Sequence, residues 1–161
     1  KIIKIIISDK RTTATDKNEK KLKKLISAAG KKKKKKIIVP DDIYQIRHIV
    51  SMYIADKNID VIITSGGTGI TGRDGTPEAV SILLDKKIEG FGEIFRSISY
   101  EKIKSSSIQT RALAGVNAKF IIVLRGSLDA CTTAWDRIIK YQLDDRTKPC
   151  NLVMLMPRLK E

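Results

Sequence analysis

The chain has 161 residues, 42% hydrophobic and 31% charged, with a net charge of +14. This length and apolar content suffice for one core and predict a single domain over 1–161, and no apolar run approaches the roughly 20 residues of a membrane span. Two cysteines without a C-x-x-C pair, and a single histidine, His48, argue against a zinc site or a disulfide framework and fit a reducing, cytoplasmic setting. The positive excess sits largely on helix faces and in the Lys31–Lys36 run, with few aromatic residues to stack on bases. A solvated basic surface is therefore read in preference to specific nucleic-acid binding.

In chain order, Ile2–Ile7 is β-branched and nearly continuous, the mark of a strand buried on both faces of a parallel sheet. After a polar stretch, Leu22, Leu25, Ile26 and Ala29 line one face of a helix that stops at Gly30. The second half of the lysine run leads into Ile37–Val39 as a strand whose charges discourage edge pairing, and Pro40 ends it. Asp41 and Asp42 can cap the next helix, with Ile43, Ile46, Val50 and Ile54 inward. Val61–Thr64 is a third strand. Beyond a glycine-rich loop, Pro77 suits a first helical turn backed by Ala79, Val80, Leu83 and Leu84. Another helix starts near Phe91 with Ile94, Phe95 and Ile98 on its buried side. Ala112–Leu124 reads as a hairpin turning near Asn117. Leu128, Cys131, Trp135 and Ile138 share a helix face, and Leu152–Met156 reads as a short last strand. The alternation predicts a three-layer α/β/α sandwich with a mostly parallel sheet, whose ligands gather beyond the carboxyl ends of the strands.

The loop Thr64–Pro77 holds five of the ten glycines, between a strand and a helix start. Glycines there free the backbone and let an anionic group, a phosphate above all, approach the amides. Gly67, Gly69 and Gly72 have G-x-G-x-x-G spacing, but after the third strand rather than the first. The P-loop spacing fails too, since Arg73 and Asp74 stand where Lys and Ser or Thr are required.

The carboxylate of Asp74 can face whatever the loop holds, which next to a phosphate signals Mg²⁺; equally, Asp74 can be a helix-start aspartate partnered by Arg73. Asp41 has the plainer alternative of a cap. Asp9 and Asp16 read first as turn formers, and Ser8 and Ser127 as phosphate donors or local caps. His48 in a helix body and Trp135 among apolar neighbours read as surface or core. With one histidine, a Ser-His-Asp relay is not available, whereas nucleotidyl transfer needs only positioning, cations and charge neutralisation.

Taken whole, Gly66-Gly67-Thr68-Gly69, then Asp74 and Thr76-Pro77-Glu78-Ala79, resembles the loop of the MoaB/MogA molybdenum cofactor family. Ser8-Asp9, Val39-Pro40-Asp41-Asp42, Glu89 to Glu93 with Arg96, Thr110-Arg111-Ala112 and Ala134-Trp135 through Pro149-Cys150-Asn151 extend the resemblance along the chain, toward the MoaB branch. It implies a molybdopterin-binding fold and adenylylation of molybdopterin by Mg-ATP, with Asp41 and Asp74 catalytic and cation-linked. It also implies phosphate and substrate contacts from Ser8, Asp9, Asp16, Ser65, Gly66, Gly67, Thr68, Gly69, Gly126 and Ser127, and assembly into trimers or hexamers. The chain departs from the family at Asp16-Lys17-Asn18-Glu19, where the family has Asp-x-Ser-Gly, and at Arg125-Gly126-Ser127, where it has Pro-Gly-Ser. A catalytically silent, pterin-binding or scaffolding member is the alternative these departures keep open.

Overall fold

The computed structural model describes residues 1–9, 17–31, 33–159 and 161, with backbone alone at 17–20, 22 and 33–36. Asp16 lies outside the described residues. Six strands form one sheet in the order β2-β1-β3-β6-β5-β4: β1 Ile2–Ile7, β2 Lys33–Val39, β3 Val61–Ser65, β4 Lys86–Lys87, β5 Leu113–Val116 and β6 Phe120–Leu124. β2, β1, β3 and β6 run parallel, while β5 and β4 are antiparallel additions at one edge. Every residue of β1, β3 and β6 is buried, Lys4, Thr64 and Ser65 included, as their nearly continuous apolar runs predict. The lysine-rich β2 occupies the opposite edge, where charge opposes further pairing.

Alternating side chains divide the sheet between two apolar layers. Ile2, Val61, Ile63, Phe120 and Ile122 pack with Ile26 of α1 (Lys17–Ala28), Phe91 and Phe95 of α4 (Glu89–Ile103) and Cys131, Ala134 and Trp135 of the late helix. Ile3, Ile5, Ile7, Ile62, Ile121 and Val123 face Ile46 and Val50 of α2 (Ile43–Ala55) and Ala79 and Val80 of α3 (Thr76–Ser81). Gly30, with φ +68°, ends α1 in a paired motif, Lys31 N donating to Ile26 O and Gly30 N to Ser27 O.

Four expectations change. Leu152–Met156 is not a strand: Leu152–Leu155 is helix α7, continued by a 3₁₀ turn at Met156–Arg158. A five-residue apolar run does not distinguish strand from helix, and Asn151 decides by accepting from Met154 N as the cap. Ile94 is 54% exposed, because α4 buries Phe91, Phe95 and Ser99 instead. Ala29 is exposed beyond the end of α1. The late helix starts as α5 (Leu128–Ala134), passes through a π turn at Trp135–Ile139 and ends as α6 (Lys140–Gln142), so one register of apolar spacing does not run its length.

Candidate functional site

From β1 the chain crosses to β2 on one side and returns to β3 on the other, so the order reverses at β1. A crevice opens there beyond the carboxyl ends of the strands. Its rim holds Ser8 and Asp9 after β1, Asp41 after β2, the glycine loop after β3 and Gly126 and Ser127 after β6. The rim segments are tied by backbone: Ser8 N donates to Val39 O at 2.9 Å, and Gly66 N to Leu124 O at 2.9 Å.

Within the glycine loop, contact with protein atoms fixes the small residues. Gly66 has φ +120°, and a Cβ there would run into the carbonyl oxygen of Ile7. A Cβ on Gly67 would meet Thr76 Oγ1 and come within 2.9 Å of Asp41 Oδ1; one on Gly69 would come within 2.7 Å of Asp74 Oδ2. Both carboxylates therefore lie against the loop. Thr76 Oγ1 donates to Gly66 O at 2.9 Å, and Thr76 N to Gly67 O at 3.0 Å. Arg111 closes the loop from behind: its backbone N donates to Thr68 O, Nε to Gly69 O at 2.8 Å and Nη2 to Asp74 O at 2.6 Å, while Nη1 pairs with Glu78. Thr76 and Arg111 were not among the expected site residues; Thr76 was legible as the residue before Pro77, whereas no local pattern marks a basic residue as a loop clamp.

The two aspartates are held differently. Capping of α2 falls to Asp42, whose carboxylate accepts from Tyr44 N and Gln45 N. Asp41 is left over, its Oδ1 buried without a hydrogen-bond partner among the described residues. Burial raises the Asp41 carboxyl above the ordinary aspartate range; the Gly75 amide works against this, the Asp74 and Asp9 charges add to it and Arg73 reduces it. Asp74 is lowered, chiefly by the Thr71 hydroxyl, which donates to Oδ2 at 2.5 Å alongside Thr71 N at 3.0 Å, against an opposing contribution from burial. It does not pair with Arg73, which meets Asp9 instead. Gly75, not Asp74, is the N-cap position of α3.

The remaining expected residues divide. Ser65 and Thr68 are buried; Ser65 Oγ lies 3.3 Å from Cys131 Sγ, and Thr68 Oγ1 has no hydrogen-bond partner among the described residues. Ser127 caps α5 by accepting from Ala130 N at 3.2 Å. Asp9 accepts from Asp41 N at 3.0 Å. Gly126 packs on Gly66, where an added Cβ would lie 3.3 Å from Gly66 Cα. Among the described residues no three His, Cys, Asp or Glu side chains gather into a metal cage. The unsatisfied Asp41 oxygen beside a second carboxylate nevertheless suits a cation that takes its other ligands from phosphate and water, the usual manner of Mg²⁺.

Residues 4–145 match the family model described as "Probable molybdopterin binding domain". The chain belongs to the MoaB/MogA family of molybdenum cofactor biosynthesis proteins. Among its MoaB relatives, molybdenum cofactor biosynthesis protein B of Escherichia coli is 49% identical over 114 residues, covering 70% of this chain and 67% of the relative. The Bacillus cereus protein of the same name is 45% identical over 141 residues, 86% of this chain and 83% of the relative. A crystal structure of a molybdenum cofactor biosynthesis protein B superposes with a TM-score of 0.85 at 43% identity, covering 88% of this chain and 89% of that one. The tungsten cofactor synthesizing protein MoaB of Pyrococcus furiosus superposes at 0.78 with 32% identity, covering 99% and 96%. The MoaB-like sheet is thus a mixed α/β sheet with the molybdopterin-binding fold, and among the described residues no helix is long and apolar enough to cross a membrane.

Proposed function

We propose that this MoaB-family protein adenylylates molybdopterin with Mg-ATP at the crevice between β1 and β3, a step that prepares the pterin for metal insertion. Membership in the family assigns the chain to molybdenum cofactor biosynthesis, and the family model supports molybdopterin as the ligand. One observation carries the chemistry: Asp41 Oδ1, buried and without a hydrogen-bond partner among the described residues, faces the same glycine loop as Asp74. In this reading a phosphate oxygen of the pterin attacks the α-phosphorus of ATP, a new P–O bond forms, the bond to the β-bridging oxygen breaks, and pyrophosphate leaves. Asp41 and Asp74 would hold Mg²⁺, which supplies neutralisation of the charge on the transferring and leaving oxygens. In this reading the glycine loop would cradle phosphate, and Arg111, donating to Gly69 O and Asp74 O, keeps the loop backbone fixed, so positioning comes ready-made. No protein nucleophile is required. Formation of adenylylated pterin, dependent on Mg²⁺, tests the reading.

A second reading, a pterin-binding or scaffolding member without turnover, draws on Asp16-Lys17-Asn18-Glu19, which stands where the family has Asp-x-Ser-Gly and so loses a hydroxyl and adds a carboxylate. Self-assembly belongs to the proposal as well. On the strength of the MoaB resemblance the protein forms trimers or dimers of trimers; light scattering at micromolar concentration is expected to give three or six times the chain mass, and a monomer contradicts it.

A further inference from the structure

Among the described residues two arginines bear on the glycine loop, Arg111 from behind and Arg73 from within it. Arg111 spends its guanidinium on Gly69 O, Asp74 O and Glu78, behind the loop. Arg73 projects from the loop's outer limb, where Ile70 to Arg73 are all exposed. Its side chain is 73% exposed, and among the described residues its one ion-pair partner is Asp9. Asp9 is itself a junction: the carboxylate accepts from Asp41 N on one side and from Arg73 on the other, bridging the loops after β1, β2 and β3. The ion pair therefore spans the mouth of the crevice, 64 residues apart in sequence.

An exposed pair of this kind contributes little to stability, so exchanging its partner costs little. A polyphosphate offers more anionic oxygens than one carboxylate, in a geometry a guanidinium grips in bidentate fashion. We propose that Arg73 is a phosphate-binding residue parked on Asp9: when a nucleoside polyphosphate enters the crevice, the guanidinium leaves Asp9 for the phosphate oxygens, and the pair acts as a latch. The inference rests on the reading that a polyphosphate binds there. It gives Asp9 a role without ligand contact, as the residue that holds Arg73 beside Asp41 until the ligand displaces it.

Calorimetric titration with inorganic triphosphate and with ATP, each with Mg²⁺, tests the latch on five proteins: parent, Arg73→Met, Arg73→Lys, Asp9→Asn and the Asp9→Asn/Arg73→Met double variant. Arg73→Met is expected to weaken both ligands roughly tenfold, the scale of a charge-assisted hydrogen bond, and Arg73→Lys to recover part of the loss. Asp9→Asn keeps the acceptor for Asp41 N but releases the arginine, and is expected to tighten binding several-fold. In the Arg73→Met background the same Asp9 change should gain nothing, since the gain is coupling between the two residues. Tightening that persists without the arginine is simple loss of a repulsive charge and overturns the latch, as does an Arg73→Met protein that binds like the parent. Should Asp9→Asn not fold, Arg73→Met and Arg73→Lys still decide whether the guanidinium meets phosphate. A parent that binds neither ligand refutes the nucleotide reading itself, a different failure from binding that ignores Arg73.

Discussion

Asp41→Asn is expected to lower adenylyl transfer by about a hundredfold or more while the protein melts no lower than its parent. The carboxylate costs the fold something at neutral pH: burial first, then the Asp74 and Asp9 charges, raise its protonation range. An acid raised in this way holds its proton more tightly folded than unfolded, so ionising it destabilises. The cost sets in as pH rises from the ordinary aspartate range through the raised value, and persists above it. Asparagine removes that cost, and the melting advantage should shrink as pH falls below the ordinary range. Asp74→Asn should lose transfer similarly but behave oppositely in stability. Asp74 is held low mainly by the Thr71 hydroxyl, so its charge stabilises the fold above the ordinary range and that contribution fades as pH falls through the lowered value. Its asparagine variant should melt lower than the parent at neutral pH, by an amount that diminishes in acid. In transfer, the double variant should be little worse than either single one if the two carboxylates hold one cation, as proposed, since either change alone would already lose it. Near-parental turnover in Asp41→Asn would remove it from the chemistry, whatever its melting temperature.

Gly66→Ala is expected to be the most damaging single change in the loop. The position combines φ +120° with a Cβ path blocked by the backbone carbonyl of Ile7, where no flexible side chain can give way. Strain of this kind costs on the order of 3 kcal/mol, roughly 6–12 °C of melting temperature in a chain this size. The damage falls at the β1–β3 junction, so the crevice should be lost with it. Gly72→Ala is the internal control: nothing lies within 4 Å of the added carbon and no positive φ is required. Thermal melts of the two variants beside the parent check this, and equal melting temperatures contradict it.

The contrast between Gly66 and Gly72 shows what was legible in the sequence. The glycine-rich loop, its place after the third strand and the central strands were readable, because nearly continuous β-branched runs and clustered glycines have few other uses. The reason for the glycines was only half readable. Their number suggests a ligand approaching backbone, whereas Gly66, Gly67 and Gly69 are each hemmed in by this protein's own atoms. Asp41 and Asp42 look alike in sequence, and one of them had to cap α2; the structure gives the cap to Asp42, which frees Asp41. Arg73 was paired with its neighbour Asp74 by proximity along the chain, yet it meets Asp9 across the crevice, a contact that only the folded sheet creates. The last apolar run went astray for a related reason. Its cap, Asn151, is fixed by carbonyls of Asp145 and Thr147 in a loop whose shape no local pattern discloses.

The most direct measurement incubates the wild-type protein with molybdopterin, ATP and Mg²⁺ and quantifies pterin product and pyrophosphate, with a chelator control and the Asp41→Asn protein beside it. The account predicts adenylylated molybdopterin and pyrophosphate in equal amounts, abolished by the chelator and near background in Asp41→Asn. Unmodified pterin recovered from folded wild-type protein that has bound it in the presence of Mg-ATP would contradict the account and identify a silent, pterin-holding member of the family.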